Sequence, residues 1–173
     1  MKILVLSDSH GRSDRIAEAI KLHKNTLDLV VFLGDGVNDI RYCTSALEGI
    51  PLVSVSGNHE DATSMFLSEN RAPSEILLDL DEYKIMLMHG HKFGVKGGVE
   101  RALFYAYSRG ADMLLFGHTH TPYEKYYPEG SELSCGMIER AMYAFNPGSI
   151  ASRNAGLVEI RKNGVLMSHF CLM

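Results

Sequence analysis

Short apolar runs that alternate with helix-like segments constrain the fold of this chain more than any other feature. The first three runs are rich in Val, Ile and Leu and short enough to be buried strands. They comprise residues 2–8, 28–35 and 51–58. Between them, segments 13–25 and 37–48 have the apolar spacing of helices, and Ser13 is the expected N-cap of the first helix. This alternation predicts an α/β fold with a parallel sheet.

The second half of the chain is richer in strand-like segments. Residues 75–90 are predicted to form two strands around a turn, residues 99–110 a helix that ends near Gly110, and residues 112–118 another strand. Four further strand-like pieces follow, at residues 122–127, 141–146, 156–161 and 165–171. The Asn-Gly pair at residues 163–164 favours a hairpin between the last two.

Length and composition exclude several classes of protein. A chain of 173 residues can bury a substantial core, and we expect residues 1–173 to form a single domain. The net charge of −4, without a basic cluster, makes nucleic acid an unfavoured partner. The apolar run at the start is too short for a signal peptide, and no segment approaches the ~20 apolar residues of a membrane helix. We therefore expect a cytoplasmic protein without a membrane partner, whose three cysteines are reduced thiols.

Five of the strand-like runs stop at residues that can bind a divalent cation. These candidates are Asp8, His10, Asp35, Asn58, His59, His89, His118 and His120. Because ligand sites in α/β sheets lie at the carboxyl ends of strands, we expect these side chains to converge. Carboxylates, an amide and imidazoles without thiolate suit Mn, Fe, Zn, Co or Ni better than Cu(I). The ligands are too many for one ion and suit two ions that share a carboxylate. Such a pair, ~3.5–4 Å apart, activates a bridging hydroxide for in-line attack at phosphorus.

The order of these motifs is informative in itself. The blocks D-x-H, G-D, G-N-H-E, H-G and G-H-T-H run from Asp8 to His120, and this order resembles that of the calcineurin-like metallophosphoesterases. The short chain and the later NPGS at residues 146–149 are most similar to the small YfcE-type phosphodiesterases. The resemblance implies a four-layer αββα sandwich, in which two mixed β-sheets are flanked by helices and the metals lie at one sheet edge. For NPGS, a turn near the pocket and a plain structural turn both remain open.

The resemblance also implies roles for the individual residues. The first metal would be held by Asp8, His10, Asp35 and His120. The second would be held by Asp35, as the bridge, with Asn58, His89 and His118. Asn58 would also position the phosphate, and His59 would stabilise charge or protonate the leaving oxygen. Glu60 stands where the family usually has Asp, which bears on the orientation of His59.

The predicted function is that of a dinuclear-metal-dependent phosphoesterase, with Mn as the first candidate metal and Fe, Zn, Ni or Co as alternatives. We expect a small phosphodiester to be hydrolysed by a metal-bridging hydroxide, with assistance from His59. One alternative is a phosphomonoesterase or protein phosphatase at the same site. Another is a catalytically weak interaction scaffold, like the retromer subunit that shares the family fold. Residues 124–140 are interpreted as a hairpin, a substrate flap or an oligomer contact, and homo-oligomerisation is left open.

Several other polar residues receive structural interpretations. His23 and His169 are expected to pack within the fold, and His91 either supports a metal ligand or is solvated. Lys96 and Arg153 are considered as phosphate contacts, but neither is selected.

Overall fold

Two five-stranded mixed sheets pack face to face, with helices on their outer faces. The computed structural model of the protein describes residues 1–63 and 72–173. The strands are β1 (Lys2–Leu6), β2 (Leu29–Phe32), β3 (Leu52–Ser54), β4 (Glu75–Leu80), β5 (Tyr83–Met88), β6 (Met113–Phe116), β7 (Pro122–Tyr127), β8 (Glu132–Leu133), β9 (Gly136–Met137), β10 (Met142–Pro147), β11 (Asn154–Arg161) and β12 (Gly164–Cys171). The first sheet has the order β12-β11-β1-β2-β3, and the second has the order β4-β5-β6-β10-β7. The predicted four-layer αββα sandwich is confirmed.

Each sheet contains three parallel strands. Strands β1, β2 and β3 are parallel, as are β5, β6 and β10, whereas β11, β12, β4 and β7 each pair antiparallel with their neighbours. The predicted hairpin near Asn163 joins β11 to β12, with Arg161 opposite Gly164. The parallel strands bring their carboxyl ends to one edge, where the candidate residues follow them.

The helices are shorter than the sequence pattern predicts. They are α1 (Ser13–His23), α2 (Val37–Arg41), α3 (Thr44–Leu47), α4 (Asn58–Thr63) and α5 (Glu100–Ser108). The single helix predicted over 37–48 was wrong: the N–H of Cys43 bonds to the carbonyl of Ile40, three residues back, and this tighter turn separates α2 from α3. Ser13 was also wrong as an N-cap, because it is the first residue of α1 and the cap position belongs to Arg12. Among the described residues, no helix is long and apolar enough to cross a membrane.

Alternating side chains divide each inner strand between two apolar layers. In β1, Ile3 and Val5 point into the layer between the sheets, whereas Leu4 and Leu6 pack against the layer under α1. A third layer lies between the second sheet and α5, and it contains Met86 and Met88 of β5. Burial on both faces explains why these strands are continuously apolar.

The segment 124–140 forms two structures. Its first residues complete β7 beside β10, and the rest contains the small β8–β9 hairpin. This hairpin lies against α5, since the N–H of Ser134 donates to Glu100 Oε2 at 2.7 Å and the N–H of Glu139 donates to the Tyr107 hydroxyl at 3.2 Å. Of the readings left open for this segment, the structure shows the hairpin.

Candidate metal centre

All eight candidate residues meet at the edge where the two sheets present the carboxyl ends of their parallel strands. Five of them have a left-handed backbone, with φ between 44° and 69°: Asp8, His10, Asp35, His118 and His120. That conformation costs a non-glycine residue about 1–2 kcal/mol. They are five of the eight non-glycine residues with positive φ in the described chain. Backbone strain is therefore concentrated at this edge, as it commonly is at functional sites.

The first donor group consists of Asp8, His10 and His120, whose ligand atoms lie within 4.8 Å of one another. His120 Nε2 is 3.2 Å from Asp8 Oδ1 and 3.3 Å from His10 Nε2. Asp8 Oδ2 accepts hydrogen bonds from the Ser7 hydroxyl and the N–H of His118. Asp8 Oδ1 is buried and accepts no hydrogen bond from the residues that the structure describes. A buried carboxylate oxygen facing two imidazole nitrogens fits a divalent cation.

The second donor group consists of Asp35, His89 and His118. Asp35 Oδ2 lies 3.4 Å from His89 Nε2, and Asn58 Oδ1 lies 3.2 Å from the same nitrogen. His89 Nδ1 is 2.6 Å from the carbonyl of Leu33. A ring that donates from Nδ1 to a carbonyl presents Nε2 as the metal-binding atom. Asn58 thus lies at the position expected of a fourth ligand.

Asp35 belongs to the second donor group and also lies close to the first. Its ligand atoms are also within 4.8 Å of those of His10 and His59, in addition to those of His89 and His118. Burial would raise the pKa of Asp35, but hydrogen bonds from His89 and from the N–H of His59, together with the charges of both imidazoles, hold it below the ordinary range. The carboxylate is therefore ionised at neutral pH and close to both donor groups.

The pKa values of the two histidines in the second donor group are shifted in opposite directions. Burial lowers the pKa of His118 to about 4, assisted by the charges of His89 and Lys96, so the ring is neutral at neutral pH. Burial would also lower the pKa of His89, but the hydrogen bond to Asp35 and the charges of Asp8 and Asp35 raise it. A cation in the same position would replace the His89 proton.

Glycine 57 allows the β2 and β3 loops to touch. A Cβ at Gly57 would lie 2.2 Å from Asp35 Oδ1, and a Cβ at Gly34 would lie 2.6 Å from the Gly57 nitrogen. Real Cβ atoms do not approach neighbours this closely, so only glycine fits here. The glycines of the G-D and G-N blocks therefore bring Asp35 beside Asn58.

Glu60 binds the backbone around Asp35. Its carboxylate accepts four N–H hydrogen bonds of 2.7–3.1 Å, from Asp35, Gly36, Val37 and Gly57. The sequence suggested a role near His59 but did not predict this contact. In the sequence, Glu60 comes three residues after Gly57, and this spacing is compatible with the hydrogen bond between them. The spacing does not reveal the hydrogen bonds from Glu60 to the β2 loop.

The NPGS turn lies beneath two of the metal-site loops. Asn146 Nδ2 donates to the Gly117 carbonyl at 2.8 Å and to Thr119 Oγ1 at 3.1 Å. Ser149 Oγ donates to the Asp8 carbonyl at 2.8 Å. The sequence left open whether NPGS forms a turn near the pocket or a plain structural turn. The structure shows a turn that lies next to the candidate site. Sequence reasoning did not select Asn146 or Ser149, because a buried polar residue cannot be recognised without its partners.

His59 occupies the exposed side of the site. Its side chain is 64% exposed, its Nε2 is 3.8 Å from Asp35 Oδ2, and its ring centroid is 5.0 Å from that of His10. His91 lies beside the second donor group, with its ring centroid 5.4 Å from that of His89. His59 is thus accessible to a bound molecule, whereas His89 is not.

The other polar residues considered from the sequence mainly serve the fold. His23 packs edge-on against Phe170 at 4.8 Å, and His169 stacks on Phe145 at 4.6 Å, as predicted. The Arg153 guanidinium donates to the carbonyl of Met173 and fastens the end of the chain.

Comparison with known proteins identifies the family. The sequence model of the calcineurin-like phosphoesterase superfamily domain matches residues 1–163. The chain belongs to the calcineurin-like phosphoesterase superfamily. A probable metallophosphoesterase of Bacillus subtilis, YsnB, is 33% identical over 150 residues, which are 87% of this chain and 75% of YsnB. Membership of this superfamily indicates a metal-dependent hydrolase of phosphate esters, and the Asp and His groups described above can bind divalent metal.

Several solved structures share the fold. A predicted phosphoesterase of Streptococcus pneumoniae TIGR4 has a TM-score of 0.70 and 25% identity, with 98% of this chain and 88% of that chain covered. A novel archaeal phosphodiesterase has a TM-score of 0.67 and 20% identity, with coverage of 98% and 100%. Vps29 of Entamoeba histolytica complexed with Zn²⁺ has a TM-score of 0.64 and 20% identity, with coverage of 99% for each chain.

Proposed function

We propose that this protein is a two-metal phosphodiesterase that hydrolyses a small phosphodiester, with residues 1–173 acting as one unit. The observation that carries the proposal is the pair of donor groups, in which Asp35 of the second group lies close to His10 of the first. The likeness in fold to an archaeal phosphodiesterase supports the same class of substrate.

The proposed ligands divide between two ions. Asp8, His10, Asp35 and His120 would hold one ion, and Asp35, Asn58, His89 and His118 would hold the other. When bound, two divalent cations supply Lewis acidity and a water activated for attack at phosphorus. We propose Mn²⁺ as the metal, since oxygen and imidazole donors without thiolate suit it. The fold accommodates a divalent cation in Vps29 of Entamoeba histolytica, which binds Zn²⁺.

The protein groups around the ions have separate tasks. Asn58 directs Oδ1 towards His89, which leaves its amide N–H groups to donate to a phosphate oxygen. His59 is exposed beside His10 and Asp35, where it can give a proton to the departing alkoxide. General-acid assistance of this kind typically contributes about 10²–10⁴-fold to the rate.

The test is hydrolysis by chelator-treated protein with and without added Mn²⁺. We expect metal to restore activity on bis-p-nitrophenyl phosphate and the monoester p-nitrophenyl phosphate to be the poorer substrate. Asp35→Ala should lose both tight Mn²⁺ binding and hydrolysis, whereas Asp79→Asn, at an exposed carboxylate on β4, should retain both. Full activity of Asp35→Ala with metal present would overturn the proposal.

Other outcomes distinguish the alternative functions. A preference for the monoester would keep the two-metal site but make the protein a phosphomonoesterase. Absence of both metal uptake and turnover would favour an interaction scaffold. His59→Ala should retain its metal while kcat falls, most strongly on diesters with poor leaving groups.

A further inference from the structure

A cavity of about 310 Å³ lies beside the metal centre and belongs to none of the groups described above. Its wall includes Thr119, which stands between the proposed ligands His118 and His120. It also includes Lys96, whose charge acts on His118. The cavity is therefore adjacent to the second donor group, on the side of the β6 loop.

The walls of this cavity are mainly apolar. Val95, Val99 and Phe116 are almost fully buried, and Pro122 and Tyr123 also line the cavity. Among the residues that the structure describes, Lys96 is the one charged residue of the lining. An apolar pocket with few polar groups is the usual form of a small-molecule site, and its volume lies at the lower end of the usual ~300–1,000 Å³. The space suits one ring-sized group better than a peptide or an oligonucleotide.

Tyr123 is held in a fixed orientation at this wall. Its ring contacts Phe116 edge-on at 5.7 Å, and its hydroxyl is 2.8 Å from that of Tyr127. Tyr127 is itself buried, so the pair is anchored from below. A ring fixed in this way offers a flat surface at little entropic cost, which favours contact with another planar ring.

We propose that this cavity is a subsite for one ester substituent of the substrate, and that it selects phosphodiesters in which that substituent is a planar aromatic ring. This inference rests on the proposed phosphodiesterase function. With phosphorus at the metal centre, one ester substituent reaches past Thr119 to Tyr123, and the Lys96 ammonium lies at the cavity wall beside the phosphate charge.

The experiment measures binding rather than turnover, so it remains informative if the protein hydrolyses nothing. Phenylphosphonate and methylphosphonate carry the same charged group and differ only in the ring. Isothermal titration of the Mn²⁺-loaded protein should show phenylphosphonate binding about tenfold more tightly, as expected for burial of one aromatic ring. Equal affinities would overturn the proposal while leaving the phosphodiesterase assignment to the hydrolysis assay.

Variants locate the effect at Tyr123. Tyr123→Ala should reduce the preference for the phenyl compound to near unity and raise KM for bis-p-nitrophenyl phosphate with little change in kcat. Tyr123→Phe keeps the ring and should keep the preference. Tyr126→Ala removes a neighbouring exposed ring from the same strand and should change nothing. If Tyr123→Ala does not fold, Thr121→Trp, at an exposed residue of the rim, should abolish the phenyl preference by filling the cavity. An unchanged preference in the folded variants would contradict the assignment.

Discussion

The Glu60 carboxylate holds two loops with one side chain. Its oxygens bind three successive N–H groups of the Asp35 loop and one N–H of the Asn58 loop. Hydrogen bonds to an ionised acceptor contribute about 1.5–3 kcal/mol each, more than bonds between neutral groups. Glu60 is therefore expected to act on the proposed metal centre through Asp35, as a positioning residue.

We expect Glu60→Gln to weaken Mn²⁺ binding by about 10–100-fold, the range found for groups that orient metal ligands. Glutamine has the same length, but its NH2 group would face N–H donors instead of accepting from them. Titration calorimetry of chelator-treated protein measures the effect, with Glu18→Gln at an exposed position of α1 as the control. Unchanged Mn²⁺ affinity in Glu60→Gln would show that the loop is held without this carboxylate.

The donor residues were predictable because each directly follows an apolar run that could be recognised as a strand. Asp8, Asp35 and His118 needed only the rule that strand ends converge. Glu60 and Asn146 could not be assigned in the same way, since both bind backbone groups far away along the chain. Their roles depend on which loops touch, and one sequence does not contain that information.

At the scale of strands, a close contact between the two sheets joins β11 to β10. A Cβ at Gly156 would lie 2.4 Å from the Phe145 ring, and that ring is also stacked on His169 at 4.6 Å. The ring is therefore confined from two sides and has little room to move. Glycine at position 156 sets the distance between the sheets at this point.

We predict that Gly156→Ala lowers the free energy of unfolding by about 1–3 kcal/mol, as overpacking of a core typically does. Urea denaturation followed by circular dichroism gives the change. Gly97→Ala is the matched control, because its Cβ would meet only the Gly94 carbonyl oxygen, at 3.5 Å. A loss of stability equal to that of the control would mean that Phe145 can move aside.

The helices and strands also show where the apolar periodicity of the sequence is insufficient to predict the structure. The continuous helix predicted over 37–48 satisfied the apolar spacing, since Val37, Ile40 and Leu47 are all buried. The break at Cys43 leaves these apolar residues on the buried side of both short helices. The apolar spacing of the sequence therefore does not reveal the break. The order of the strands in the second sheet was likewise outside the reach of periodicity, and the four layers came from the motif resemblance.

At the scale of the whole molecule, the proposed metal centre lies where the two sheets meet. Asp8, Asp35 and Asn58 follow strands of the first sheet, whereas His89, His118 and His120 follow strands of the second. Any ion held by both sets ties the sheets together at one edge. Binding should therefore stabilise the fold as a whole.

We expect added Mn²⁺ to raise the Tm of chelator-treated protein. One site stabilises by about 2.7 kcal/mol when free metal is 100 times its Kd. Differential scanning calorimetry measures the shift, and excess chelator should reverse it. Asp35→Ala should show little of the increase, whereas Asp79→Asn should show all of it. A Tm that does not respond to metal in the unsubstituted protein would mean that the sheets are not joined in this way.

The left-handed backbone of five donor residues has a consequence for directed evolution. Glycine adopts that conformation without the penalty that Asp and His incur. A library selected only for resistance to heat should therefore accumulate glycine at such positions, Asp8 and His120 among them, and each gain in robustness there would remove a ligand. Directed evolution of a more thermostable variant therefore requires a screen that measures metal retention in every round.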